Sequence, residues 1–423
     1  MNSPSLPSLL PTFAKIGLLS FGGPAAQIAL MHRVLVDEKR WLSEETFLRA
    51  LSFCMLLPGP EAMQLATYAG WRLRGILGGL MAGLLFVLPG ALVILALGLL
   101  YLRYGTLPLV SAAFMGIKAS VAVIVVEALL RVGRRALKSD RARAIALIAF
   151  AALVLLKLPF PLVIVAAAIF GALRIDGTTA PPPATRAALG PTFLHLALGI
   201  ALWLAPIGLA ALAGSGFLTA LGLFFGKLAL VSFGGAYALL TYMTQSLVET
   251  HGWVTTGQMI DALGLAETTP GPLILVTAFV ALLAGASQGG VPMALAAFAM
   301  ALWATFVPSF LWIFAFAPHI EALTSRPRLR AALDGISAAV VGVIGALALW
   351  FMLHVLFAAV GEFRIGPVTL PRVSGLNLPA LAILILSGWL LLVRHLGLGW
   401  VLFIAAVAGV MAGLALPAGA PPL

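Results

Sequence analysis

Long apolar runs follow one another along the whole chain, separated by short segments rich in arginine, glycine and proline. This pattern predicts membrane spans near residues 11–31, 46–70, 76–102, 107–130, 142–156 and 160–173, and a second group near 192–213, 219–245, 257–284, 291–317, 330–360, 379–393 and 396–416. Several, among them 76–102, 107–130 and 291–317, reach or exceed the roughly 20 residues that cross a hydrocarbon core of about 30 Å. The 142–156 and 160–173 pair is short and is split by Pro159 and Pro161, so it reads either as two crossings or as a hairpin that only dips into the bilayer. The expected fold class is therefore an all-α polytopic membrane protein with about 12 to 13 membrane segments, re-entrant hairpins included. Between the two groups, residues 174–190 contain the run Asp176-Gly177-Thr178-Thr179-Ala180-Pro181-Pro182-Pro183, which has the composition of an extended linker.

Sliding the two groups over each other exposes an internal repeat. Phe13, Lys15, Leu18, Ser20, Phe21, Gly22 and Gly23 recur 212 positions later as Phe225, Lys227, Leu230, Ser232, Phe233, Gly234 and Gly235. Trp41 meets Trp253 and Pro58-Gly59-Pro60 meets Pro270-Gly271-Pro272 at the same offset; farther on it grows to about 219, where Gly116-Ile117 matches Gly335-Ile336. The chain divides on this reading into an N-terminal repeat (1–175), a linker with an extra helix (176–218) and a C-terminal repeat (219–423).

Loop charges suggest how the repeats lie. The segment 131–143 carries Arg131, Arg134, Arg135, Lys138, Arg141 and Arg143 against Asp140, which marks a cytoplasmic loop. In the second half the basic cluster, Arg326, Arg328 and Arg330, precedes the equivalent span instead of following it, so the two repeats should be inverted relative to each other, with the unpaired span 192–213 supplying the odd crossing. Composition adds constraints. Of 423 residues 62% are hydrophobic and 9% charged, too apolar for a soluble core. The net charge of +11 resides in short loops between spans, which argues for membrane orientation and against nucleic acid. Cys54 is the single cysteine, which excludes an intramolecular disulfide or a thiolate metal site, and no metal or other cofactor is expected. The N-terminus, broken by Pro4, Pro7 and Pro11, lacks the basic start of a cleavable signal.

Two segments per half interrupt the helical pattern at membrane depth: Ser20-Phe21-Gly22-Gly23-Pro24 with Ser232-Phe233-Gly234-Gly235-Ala236, and Leu57-Pro58-Gly59-Pro60-Glu61 with Thr269-Pro270-Gly271-Pro272. Proline removes an N–H and disfavours helix before it, glycine admits many backbone angles, and a broken helix persists in lipid only where protein or a watery cavity satisfies the freed groups. A helix that restarts there presents free N–H groups and a positive dipole end, which suit an anion. Ser20, Ser232, Thr268, Thr269, Gln27 and Gln64 are candidate side-chain donors to it. The alternative is close helix packing at small residues, with the serines bonded to their own preceding turns. Lys15 and Lys227 either neutralise the anion or snorkel to the interface. Glu61 and Glu267 either carry a coupling proton or cap a helix end, and Glu127 is expected to pair with Arg131 one turn on. Trp41 and Trp253 read as interfacial anchors.

The stretches from Phe13 (FAKIGLLSFGGPAAQ), Val36 (VDEKRWLSEETF) and Leu57 (LPGPEAMQLATYAGW), with the second-half copies from Phe225 and Thr269, resemble the chromate ion transporter family in its long, two-domain form. The resemblance covers nearly the whole chain. It implies efflux of chromate from the bacterial cytoplasm across the inner membrane, energised by the membrane potential or proton gradient, with sulfate as a similar ligand. Leu273 follows the second PGP where Glu61 follows the first, and Ala236 stands where the first half has Pro24, so the halves are not interchangeable. Together these readings give an alternating-access transporter, not an enzyme, whose partners are the oxyanion and the lipid bilayer, with a homodimer left open. A sulfate transporter is the main alternative. The absence of a P-loop argues against intrinsic ATP-driven transport, and a membrane-embedded lipid enzyme is disfavoured because His32, His195, His251, His319, His354 and His395 are scattered with no HExxH or DDxxD-like cluster; a scaffold or receptor without transport is the remaining class.

Overall fold

The computed structural model describes residues 4–21, 23–173, 189–233, 236–320, 326–366 and 368–415. They fall into two compact units, each drawn from both sequence halves: one from Met1–Gly98, Ala172–Ala236 and Thr269–Leu333, the other from Leu99–Gly171, Tyr237–Thr268 and Asp334–Leu423.

The first unit opens with α1 (Leu6–Leu18) and α2 (Gly23–His32), which ends in a π-helical turn, Arg33–Glu38. α3 (Glu44–Cys54) starts where the Ser43 hydroxyl accepts the Thr46 N–H at 3.2 Å, with Glu44 and Glu45 in the first turn facing the positive dipole end. α4 (Glu61–Tyr104) belongs to this unit as far as Gly98. Read as one rod its 44 residues would extend about 66 Å, far beyond a bilayer. It is two arms: Arg74 and Gly75 leave the helical region, Gly75 with φ +62°. A Cβ on Gly70 would overlap the Gly78 carbonyl oxygen and stand 2.6 Å from Ala82 Cβ, although eight residues of straight helix cover about 12 Å. The chain therefore doubles back.

Two further helices, α8 (Leu189–Leu212) and α9 (Gly216–Leu230), pack on each other and on α12 (Val276–Phe316). The second half repeats the kink: Gly289 and Gly290 break α12 with φ and ψ of +66° and −158° at Gly290 against +62° and −155° at Gly75. The arms again touch, since a Cβ on Gly285 would lie 2.6 Å from the Met293 carbonyl oxygen. Phe13, Phe86, Phe225 and Phe279 are fully buried here.

The second unit contains α5 (Pro108–Ala136), α6 (Asp140–Val154), α7 (Phe160–Leu173), α10 (Ala236–Met243, from Tyr237 on), α11 (Thr256–Thr268) and most of α13 (Pro327–Leu356). It closes with α14 (Leu378–Gly388), which runs into a π turn at Trp389–Val393, and α15 (Leu398–Ala415). α10 ends, like α2, in a π turn, Thr244–Thr250. The repeat extends to single hydrogen bonds: Trp41 N–H donates to Leu35 O at 2.9 Å and Trp253 N–H to Leu247 O at 2.8 Å. α5 and α15 cross on small residues, a Cβ on Gly116 standing 2.6 Å from Ala405 C. Glu127 and Arg131 form the expected i,i+4 ion pair at 2.6 Å.

One element departs from the hydropathy reading. The span 330–360 and the loop after it were expected as helix and coil, whereas α13 stops at Leu356 and an antiparallel hairpin follows, β1 (Phe357–Ile365) paired with β2 (Val368–Leu376). Alternating Phe363 and Ile365 against Val368 and Leu370, with Gly366 at φ +59° beside the turn, favour strands over another helical turn. Thr369 N–H donates to Leu155 O at 2.8 Å and Lys157 pairs with Glu362 at 2.9 Å, so the hairpin lies against the α6–α7 connection.

Among the described residues, six helical stretches are long and apolar enough to cross a membrane: Glu61–Tyr104, Pro108–Ala136, Thr192–Leu212, Leu273–His319, Pro327–Leu356 and Leu398–Ala415. Their outer faces expose large apolar side chains such as Leu92, Leu212, Trp400 and Leu414, an arrangement that lipid, not water, stabilises. The protein is an all-α polytopic membrane protein with one small hairpin.

Candidate substrate site at the helix breaks

Both predicted breaks are present in the first unit. α1 stops at Leu18 and α2 restarts at Gly23, which has φ +78°; α3 stops at Cys54 and α4 restarts at Glu61, with Gly59 at φ +131°, and Gly271 stands at φ +94° in the second copy. The freed backbone groups are satisfied across the repeats. Gly59 N–H donates to Ser232 O at 3.0 Å, and Gly271 N–H donates to Ser20 O at 2.8 Å. Each half's PGP thus holds the other half's SFGG. A contact in which i meets j′ while j meets i′ is the mark of a two-fold relation between the partners.

The same exchange recurs one layer out. A Cβ on Gly90 of α4 would overlap the Pro270 carbonyl oxygen, and a Cβ on Gly59 would lie 2.6 Å from Ser309 Oγ of α12. Pro89-Gly90 and Pro308-Ser309 are equivalent at the late offset of 219, so each PGP is seated on the other half's proline-containing helix. Where the first half has glycine, the second places a hydroxyl.

The two glutamines lock this arrangement. Gln27 Nε2 donates to Gly271 O at 2.7 Å and to Ser20 O at 3.3 Å, while Gln64 Nε2 donates to Pro58 O at 2.7 Å. Their carbonyl oxygens remain without partners. Among the described residues, the buried side-chain polar atoms lacking a hydrogen bond are Gln27 Oε1, Gln64 Oε1, Thr305 Oγ1, Ser309 Oγ and Trp312 Nε1 in the first unit and Asp261 Oδ1 in the second. Such atoms are few in native proteins and each calls for an explanation. Gln64 and Ser309 both stand against Gly59, and Thr305 lies one helical turn before Ser309 on α12, so polar atoms are offered there to a ligand or water.

The predicted donors divide sharply. The Ser20 hydroxyl donates to Ile16 O at 2.6 Å and that of Ser232 to Ala229 O at 2.8 Å, so each spends its one proton in its own helical turn; their carbonyls, not their hydroxyls, serve the breaks. Thr269 is buried beside Pro270, whereas Thr268 is exposed in the other unit and donates to Leu265 O. Pro60 accepts the Gln64 N–H at 3.0 Å and Pro272 the Leu275 N–H at 2.9 Å, closing the first turns after each PGP. Lys15 is exposed on a face with Leu18 and Leu19, and Lys227 on one with Leu223 and Leu230; neither belongs to the buried cluster, and an apolar outer face is where lysine snorkels. Glu61 is half-buried in the first turn of α4, where a carboxylate complements the helix dipole. Glu267 lies in the second unit, accepting the Tyr237 hydroxyl proton at 2.5 Å. Gly22, Gly234 and Gly235 lie outside the described residues. Thr305 and Ser309 were missed; the 219-residue offset that aligns Pro308 with Pro89 is the signal that points to them.

A cavity of about 380 Å³ opens elsewhere, in the second unit beneath the hairpin, lined by Lys157, Glu249, Glu362, His354, Trp350 and Thr369 among others. Two carboxylates against one lysine make it a poor receptor for a dianion, so size alone does not identify the substrate site.

A helical, multi-pass membrane protein whose two sequence repeats hold each other's helix breaks has the construction found among secondary transporters. The family profile for the chromate transporter matches residues 8–172 and 219–410, and the chain belongs to that family. It is 37% identical over 349 residues to a chromate transport protein of Pseudomonas aeruginosa, covering 81% of this chain and 80% of that one. A chromate transport protein of Cupriavidus metallidurans is 30% identical over 341 residues, 80% of this chain and 81% of the relative. A probable chromate transport protein of Synechococcus elongatus is likewise 30% identical over 341 residues, 80% of this chain and 83% of the relative. No solved structure matches the chain.

Proposed function

We propose that this protein exports chromate from the bacterial cytoplasm across the inner membrane, as a secondary transporter of two inverted repeats working by alternating access and energised by the proton gradient or membrane potential. The observation that carries the reading is the reciprocal pair of bonds from Gly59 N–H to Ser232 O and from Gly271 N–H to Ser20 O, which ties both repeats to one set of broken helices. Rocking one repeat against the other would alter both pairs together, as a two-sided gate requires. The anion is held by the N–H groups between Pro60 and Gln64 and between Pro272 and Leu275, ahead of the first turn-closing bonds, and by the hydroxyls of Thr305 and Ser309, with Gln27 and Gln64 keeping the breaks in place. Glu61 and Glu267 are candidate carboxylates for coupling.

The test is uptake of labelled chromate into inside-out membrane vesicles bearing the protein, with sulfate as competitor. Energy-dependent chromate accumulation that excess sulfate reduces only weakly supports the reading. Accumulation of sulfate with no chromate flux replaces it with the sulfate transporter alternative, and flux of neither ion removes the transport reading.

A further inference from the structure

α11 carries a second acidic side chain besides Glu267, Asp261, that the break site does not use. The residue is 4% exposed. Its Oδ2 accepts the Tyr101 hydroxyl proton at 2.7 Å, and Lys118 Nζ of α5 stands 3.4 Å from Oδ1. That separation is close enough for charge attraction, yet Oδ1 has no aligned hydrogen bond. All three residues belong to the second unit. A charge in a membrane protein's interior is expensive to retain and is commonly tied to ion or proton movement.

We propose that Asp261, with Lys118 and Tyr101, is a proton-binding site through which the pH gradient drives the transporter; the inference rests on the secondary-transport reading above. Oδ1 is the oxygen that can take a proton without displacing an existing hydrogen bond. The proton comes from water, and binding leaves Asp261 neutral while the Tyr101 bond to Oδ2 persists. Lys118 then loses its counter-charge. Its side chain is 28% exposed, and Nζ lies over Gly257, where a Cβ would stand 3.5 Å from it, so the ammonium can turn outward. Protonation thus exchanges a closed ion pair for an open one, a two-state element between α5 and α11 of the kind that couples ion binding to helix movement. The other elements packed on α11 bring few rivals. α15 contributes no titratable side chain, and the π turn Thr244–Thr250 brings Glu249, which faces the cavity under the hairpin. Glu267, six residues on, is held by Tyr237.

The experiment uses the full protein in proteoliposomes with the membrane potential clamped at zero. Two rates are read: chromate counterflow without any gradient, and net chromate flux after a pH step. The double variant Asp261→Asn with Lys118→Gln removes both charges, so no lone buried charge is left to impair folding. Its counterflow is expected to stay within about twofold of the parent while the acceleration by the pH step disappears. Tyr101→Phe retains the carboxylate and is expected to keep the acceleration with a displaced pH midpoint. A double variant that still accelerates like the parent overturns the proposal, and so does one whose counterflow falls along with the acceleration, since that marks a structural or substrate-binding role. Acceleration lost in Glu267→Gln but kept in the double variant moves the site to Glu267. A parent protein that transports chromate yet ignores the pH step overturns proton coupling as a whole, and one with no chromate flux overturns the function reading itself.

Discussion

Replacing Gly90 by alanine tests the architecture of the breaks at a single carbon atom. The added Cβ would overlap the Pro270 carbonyl oxygen and lie 2.6 Å from Leu275 Cδ1 and 3.0 Å from Pro270 C. An unstrained carbon–oxygen approach is about 3.3 Å, so the Pro270 peptide must retreat by about 1 Å. Overpacking of this kind costs about 1–3 kcal/mol. The retreat also pulls on Gly271, whose N–H bond to Ser20 O and whose carbonyl bond from Gln27 each contribute about 1 kcal/mol. A displacement of about 1 Å at a site that must bind and release an ion can lower turnover by about a hundredfold, by analogy with misplaced catalytic groups. Gly75→Ala is the control: it has φ +62° and ψ −155°, a backbone region that essentially only glycine occupies, but nothing within 4 Å of the new Cβ, so it carries a backbone cost of about 1–3 kcal/mol and no clash. Chromate flux per mole of purified protein should collapse in Gly90→Ala and survive in Gly75→Ala at comparable melting temperatures. Equal flux in the two would show that the second PGP is not seated on α4, and the reciprocal scheme would fall with it.

Three further outcomes are expected. Gln27→Leu leaves the buried Gly271 carbonyl without its side-chain donor, at a cost of about 1–3 kcal/mol, and should lower both melting temperature and flux; wild-type melting would show that the amide does not hold the break. Ser309→Ala removes a hydroxyl that bonds to no protein atom, so melting should not change while the KM for chromate rises about tenfold, a loss of about 1.4 kcal/mol; an unchanged KM would take Ser309 out of the site. Ser20→Ala gives up only a bond inside its own turn and should leave flux within about twofold of the parent, and a larger loss would restore the hydroxyl as a ligand.

The spans and breaks were legible because lipid imposes a length and forbids unsatisfied backbone, so the composition of residues 76–102 and the PGP motif each state their structural consequence directly. The reach of side chains was not. Ser20 stands beside a break in the sequence, yet a serine at a helix end has Ile16 O within its own turn, and a local bond forms before any distant one can compete. The glutamines stand close to the breaks in the sequence, but their bonds run to Gly271 in the opposite half and to Pro58, and no single-half pattern encodes the first of these. Ser309 and Asp261 carry no motif in the sequence, and only packing reveals that Ser309 Oγ and Asp261 Oδ1 lack hydrogen-bond partners. The hairpin was lost for a different reason: the run from Phe357 to Val360 is as apolar as the end of α13, and hydropathy does not distinguish strand from helix over four residues.

The asymmetry of the lining bears on which ion is carried. The backbone follows a two-fold plan, but Gln27 and Gln64 have Leu239 and Val276 at the equivalent positions, and Ser309 has Gly90. The two halves therefore contribute different chemistry, hydroxyls able to donate from the second and two carbonyl oxygens from the first, Gln27 Oε1 and Gln64 Oε1, that can only accept. A fully ionised oxyanion offers such oxygens nothing, whereas a singly protonated one can accept from the hydroxyls and donate to a glutamine. Chromate keeps one proton up to near-neutral pH, while sulfate has lost both in much stronger acid. Lowering the pH equally on both sides, from mildly alkaline to mildly acidic, should thus tighten chromate binding in counterflow while leaving inhibition by sulfate flat. A titrating protein group would move both ions alike, so the comparison separates ligand protonation from the coupling site. Gln64→Leu, which deletes one acceptor, should weaken the chromate trend, and parallel pH dependence for the two ions would show that the glutamine oxygens face water and not the substrate.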